Sequence, residues 1–165
     1  MRVYDDNGQV SLDIIHEVES SLGYNFPMNY INLIKDYDAL RLENDIFDFK
    51  NIYGELDERD ICFLSFQEGY INGSILKEQS NINDLDNYGI ENLVIFGICA
   101  NGDYICFDYR EDSKTSNPKI VLVYHDEFVD FEDGTSSMVV NNVANNFDEF
   151  LSMLHDWFKV KQLFI

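Results

Sequence analysis

The chain has 165 residues, with 31 Asp and Glu against 11 Lys and Arg, and a formal net charge of −20. Hydrophobic residues make up 45% and aromatic residues 15%, which excludes the composition of a disordered chain. Area scaling lets one domain of this size bury roughly 70% of its unfolded surface without metal or disulfide staples. The negative charge argues against nucleic acid and anionic membranes, which would repel it, and leaves a basic partner open.

No stretch approaches the ~18 apolar residues of a membrane span. The opening residues, Met1-Arg2-Val3-Tyr4-Asp5-Asp6, lack the apolar segment of a signal peptide, so the expected compartment is the cytoplasm. Cys62, Cys99 and Cys106 are an odd number with no close pair. Thiols buried as small hydrophobes are expected, not a disulfide framework.

Leu12, Ile15, Val18 and Leu22 fall on one stripe at helical spacing, with Ser11 as N-cap and Gly23 as the stop, and predict a first helix. A second begins at Pro27, whose missing N–H costs nothing at a first helical position, with Tyr30, Ile31, Ile34 and Tyr37 on one face. The runs Ile46 to Phe49, Ile61 to Phe66, Leu93 to Phe96, Tyr104 to Tyr109 and Ile120 to Tyr124 are β-branched or aromatic and read as strands. Asn101-Gly102 between the third and fourth suits a tight turn, which makes those two an antiparallel hairpin and the sheet a meander.

The polar stretch from Lys77 to Asn92 reads as a surface connection, in which Ile82, Leu85 and Tyr88 mark a possible short helix. Another such connection runs from Arg110 to Pro118. At the far end, Asn146 and Glu149 are spaced as a capping box, and Phe147, Phe150, Leu151, Leu154, Trp157 and Phe158 recur behind it at helical spacing. The expected fold is α+β: a single domain in which a mainly antiparallel, twisted sheet of about five to six strands packs against two N-terminal helices and one C-terminal helix.

Leu22-Gly23-Tyr24-Asn25-Phe26-Pro27-Met28-Asn29-Tyr30-Ile31-Asn32-Leu33-Ile34 resembles the LG…LP..Y..FL segment of the SUKH superfamily, the Smi/Knr-like proteins. Phe96-Gly97 followed by Asn101-Gly102-Asp103-Tyr104-Ile105-Cys106-Phe107-Asp108 is similar to that family's hairpin. The stretch from Pro118 to Asp126 resembles a later strand of the family, and Ala144 to Leu151 its closing helix. The resemblance spans about residues 8 to 158 and departs at Tyr37-Asp38-Ala39, where many members carry Asn-Gly, so the turn there is expected to take another shape. It implies an immunity protein that binds and neutralises a bacterial toxin, often a nuclease.

One segment fits such a role on its own chemistry. Asp126, Glu127, Asp130, Glu132 and Asp133 are five acids in eight residues with no base, interleaved with Phe128 and Phe131. Acids so placed would steer a cationic protein and exposed rings would anchor it. The alternative is a solvated acidic loop after a strand, with both rings turned into the core. Glu111 and Asp112, beside Asn117, are a second acidic pair of the same kind.

Catalytic signatures are missing: there is no Gly-x-Ser-x-Gly elbow, phosphate-binding glycine loop or dinucleotide fingerprint. His16, His125 and His155 stand apart and form no metal-ligand spacing. No cofactor or metal is expected. Two further readings stay open beside a toxin-binding protein: a regulatory scaffold, and a hydrolase using a carboxylate pair in a deep cleft with at least one raised pKa. Monomer and dimer are both allowed, because open sheet edges can pair.

Overall fold

Ser11 accepts a hydrogen bond from the Ile14 N–H through its side chain, and Gly23 ends the same helix in the left-handed conformation. These are the two ends expected, and they bound α1 (Leu12–Leu22). The computed structural model describes residues 1–157. In chain order the elements are β1 (Val3–Asp5), α1, α2 (Met28–Ile34), β2 (Arg41–Leu42), β3 (Ile46–Lys50), β4 (Leu56–Asp60), β5 (Cys62–Phe63) and α3 (Ile75–Asn83). They continue with β6 (Leu93–Ile98), β7 (Tyr104–Asp108), β8 (Lys119–Asp130), β9 (Ser136–Ala144) and α4 (Phe147–Met153).

The main sheet has the order β5-β6-β7-β8-β9, antiparallel throughout. It is the expected meander, and the β6–β7 hairpin turns through Asn101-Gly102 as foreseen. The α+β class and the N- and C-terminal helices are as expected. Two small sheets, β1-β2 and β3-β4, lie outside the main one, so the run from Ile46 to Phe49 forms a strand but joins a separate hairpin.

Four other expectations need correction in their bounds. Pro27 is the N-cap of α2 with an extended ψ of 138°, so Met28 is the first helical residue. The run Ile61 to Phe66 shortens to Cys62–Phe63: the Leu64 N–H still reaches the Phe96 carbonyl of β6, but the donors after it go elsewhere, Ser65 N–H to the Gly73 carbonyl and Phe66 N–H to the Asp38 carboxylate. The short helix expected between Lys77 and Asn92 forms as α3 with shifted bounds: it begins at Ile75, ends at Asn83 and buries Ile82, whereas Leu85 lies beyond it and is exposed. The C-terminal helix stops at Met153 because Leu154 turns extended and His155 exchanges backbone hydrogen bonds with Ile46, leaving Trp157 exposed. Phe158, expected on that helix, lies outside the described residues.

The core is an aromatic stack between α2, α4 and the meander. Tyr30, fully buried, has ring centroids of Phe26, Phe96, Phe107 and Phe147 within 5.1–5.7 Å, and Phe96 stacks on Phe107 at 4.2 Å. Edge-to-face and stacked pairs of this kind add to the stabilisation from area burial. Cys99 and Cys106 are buried and Cys62 half-buried, all as free thiols. Ala39 adopts φ 52° in the turn after α2, the left-handed conformation that a glycine would take without strain.

Candidate functional site

The strand β8 does not stop at Tyr124, where its apolar run ends. The strand continues to Asp130, and β9, which sequence periodicity did not reveal, pairs with it up to Val123 opposite Val140 and again from Phe128 opposite Met138 to Asp130 opposite Ser136; the register breaks between Val123 and Phe128. The acidic segment is therefore a β-hairpin arm and not a loop. Its tip is closed by hydrogen bonds from Phe131 N–H to the Thr135 carbonyl (2.8 Å) and from Gly134 N–H to the Phe131 carbonyl (3.0 Å). Gly134, at φ +86°, supplies the left-handed residue that a three-residue hairpin loop needs. The β7 pairing ends at Val123, opposite Tyr104, so the arm projects beyond its neighbour.

Both rings of the arm face solvent, Phe128 63% and Phe131 50% exposed, which overturns the alternative that they turn into the core. Asp126, Asp130, Glu132 and Asp133 are exposed and Glu127 is half-buried. Three of the five carboxylates also shape the arm. Glu127 accepts from the Tyr53 hydroxyl (3.0 Å) and Asp130 from the Ser136 hydroxyl (2.5 Å). Asp133 accepts from the Thr135 N–H and hydroxyl, which hold its carboxyl below the usual range. The bond to Glu127 raises the Tyr53 hydroxyl pKa. Tyr53 is 71% exposed and brings the β3–β4 turn beside the arm; only the fold reveals that partnership, since 74 residues separate the two.

A buried polar knot roots the arm. Asp103, fully buried, accepts from Arg59 Nε (2.8 Å), Asn101 Nδ2 (2.9 Å), and the His125 N–H (3.1 Å) and Nδ1 (2.7 Å). Burial alone would raise its carboxyl, but donors from Arg59, His125 and Asn101 outweigh that and hold it below the usual range. Asp103, His125 and Asp126 have side-chain ligand atoms within 4.8 Å of one another. Both Asp103 oxygens are already engaged by donors, a poor fit for a cation.

Glu111 and Asp112 sit at the opposite end of β8 from the arm, beside Lys119, where the strand begins. Glu111 pairs with Lys119 Nζ (3.0 Å), and Asp112 accepts the Lys114 N–H (2.9 Å). The structure does not bring them together with the arm.

A cleft of about 480 Å³ lies elsewhere, between β2, the β5–β6 edge and the turn after Ile98, and includes Arg41, Asp45, Asp60, Cys62 and Cys99. Burial, with the Asp60 charge adding to it, raises the Asp45 carboxyl. Asp60 accepts the Ala100 N–H (2.9 Å), and burial pushes both the Cys62 and Cys99 thiols up, which makes them poor nucleophiles at neutral pH. Sequence reading missed this cleft because its walls come from segments far apart in the chain.

The SMI1 / KNR4 family (SUKH-1) matches residues 9–153. Neither the curated proteins nor the solved structures contain a significant match. No helix among the described residues is long and apolar enough to cross a membrane.

Proposed function

The chain belongs to the SMI1 / KNR4 family (SUKH-1), and from that premise we propose that it is a non-catalytic immunity protein. It binds a cognate bacterial toxin with a basic surface, such as a nuclease, and neutralises it by occlusion in the cytoplasm. The observation that carries this reading is the arm: five carboxylates without a base, interleaved with two exposed aromatic rings. Clustered charge accelerates encounter with a cationic partner, and rigidly presented aromatics are the side chains that anchor an interface on contact. Glu111 and Asp112 would belong to the rim of a large footprint at most, since Lys119 neutralises the first of them.

The test is the double variant Asp130→Lys and Glu132→Lys, measured against the toxin encoded beside the gene. The association rate should fall about tenfold or more and lose most of its salt dependence, with protection of cells falling in parallel. Unchanged association and protection would move the contact surface off the arm. A scaffold would instead lack a toxin gene as neighbour. The cleft at Asp45 and Asp60 is the one observation favouring a hydrolase; that reading requires turnover by the purified protein that Asp45→Asn abolishes.

A further inference from the structure

The hydrogen-bond parity of the arm leaves a usable edge. Phe131 bonds to Thr135 across the hairpin, and bonded and non-bonded pairs alternate along an antiparallel ladder. Val129 and Ser137 are then a bonded pair, whereas Phe128 with Met138 and Asp130 with Ser136 are non-bonded pairs. The Met138 N–H confirms this phase by pointing away from β8, to the Tyr88 carbonyl (3.0 Å). The backbone N–H and C=O groups of Phe128 and Asp130 therefore point away from β9. Among the described residues, no strand or backbone hydrogen bond occupies that side of β8 from Asp126 to Asp130.

Open edges invite pairing with a second copy, and charge decides against it here. An antiparallel pairing centred on Phe128 sets Asp130 of one copy opposite Asp126 of the other. Shifting to pair Phe128 with Asp130 sets Asp126 opposite Glu132, and pairing Asp130 with itself sets like charges face to face. Like charges directly opposite are destabilising, and inward or edge charges are the usual guard against self-pairing. A strand bearing lysine or arginine at alternate positions reverses the sign of each of these contacts.

Resting on the reading that the arm meets a basic protein, we propose that it does so by strand addition: an extended basic segment of the partner pairs with the open edge of β8 at Phe128 and Asp130. Main-chain hydrogen bonds supply the register, and the flanking carboxylates select the charge.

A short synthetic peptide of alternating lysine and valine is the probe, with its glutamate counterpart as control, and amide hydrogen exchange of the full chain as readout. The basic peptide should slow exchange at Phe128 and Asp130 about tenfold or more, and the acidic peptide should not. Phe128→Pro removes an outward N–H without removing a bond to β9, so the peptide should no longer protect Asp130 in that variant; in Phe128→Ala, which keeps the N–H, protection should persist. If Phe128→Pro fails to fold, protection in the native chain decides alone. Binding without slowed exchange at the two amides, equal behaviour of the Pro and Ala variants, no binding of the basic peptide, or protection of the same amides by dimerisation of the free protein would each overturn strand addition. The lysine double variant assayed against the toxin then tells whether the broader reading also fails.

Discussion

Replacing Asp103 by Asn would show how much the root of the arm matters. The carboxylate accepts four donors within 2.7–3.1 Å and has no exposed surface. Asn retains one oxygen, so at least one set of donors must face an amide NH₂ instead. Removing one partner of a buried pair costs about 3–5 kcal/mol. Arg59 keeps Asp57 at 3.0 Å and some contact with water, its side chain being 18% exposed, which points to the lower end, about 3 kcal/mol. For a chain of this length that corresponds to a fall in melting temperature of about 6–12 °C.

Urea unfolding at neutral pH should show the midpoint falling with an unchanged slope. The pH dependence adds a second constraint. A carboxyl whose folded pKa lies below its unfolded value of about 3.9 contributes stability that is present above that value and is lost as pH falls through the folded one. The gap between the native chain and Asp103→Asn should therefore narrow below about pH 4. A loss under about 1 kcal/mol at pH 7, or a gap that stays constant through the acid range, would refute the account of Asp103 as the ion-paired anchor of the arm.

Two further substitutions probe the body. Ala39, at φ 52°, bears a left-handed strain of roughly 1–2 kcal/mol, partly offset in glycine by the entropy of its unfolded chain. Ala39→Gly should raise stability by about 0.5–1 kcal/mol in thermal unfolding, and a loss would mean that packing of the methyl outweighs the backbone. The Tyr30 hydroxyl is buried without a partner, and burial, with the Asp38 charge behind it, raises its pKa well above 10.0. Tyr30→Phe should leave stability unchanged or raise it by about 1 kcal/mol; a clear destabilisation in urea would reveal a bond that the hydroxyl makes.

Legibility in the sequence followed the range of the interaction responsible. Local signals were enough for α1, whose cap and stop are Ser11 and Gly23, and for the hairpin at Asn101-Gly102. At Asn146 the forward bond, from the Glu149 N–H, forms as expected, but Glu149 returns its carboxylate to the N–H of Asn145, one residue before the cap. What could not be read depends on a partner far along the chain. Leu56 to Asp60 carries three acids and an Arg in five residues, yet becomes a strand because β3 lies opposite. Met138-Val139-Val140 is too short and too soon interrupted by Asn141-Asn142 to announce β9, although Asn141 then ties β9 to the Lys50 carbonyl (3.0 Å). Helical periodicity likewise overran at Leu154 because it carries no information about the bridge to Ile46.

The distribution of charge distinguishes the arm from a merely acidic surface. Among the described residues, Arg2 pairs with Glu43, Arg59 with Asp57 and Asp103, Arg110 with Asp108 and Lys119 with Glu111. Every one of these pairs lies off the arm. The scarce bases thus cancel acids on the body, where Asp103 and Asp108 are buried or nearly so and an unpaired charge would be costly. Among the described residues, the carboxylates from Asp126 to Asp133 form no ion pair with a Lys or Arg, and the His125 ring lies 3.9 Å from Asp126. Concentrating the uncompensated field on a projecting element puts it where an approaching basic surface meets it within one Debye length, about 8 Å at physiological salt, before it meets the body. Two exposed phenyl rings on the same element then supply the short-range contact that charge alone, screened by salt, cannot hold.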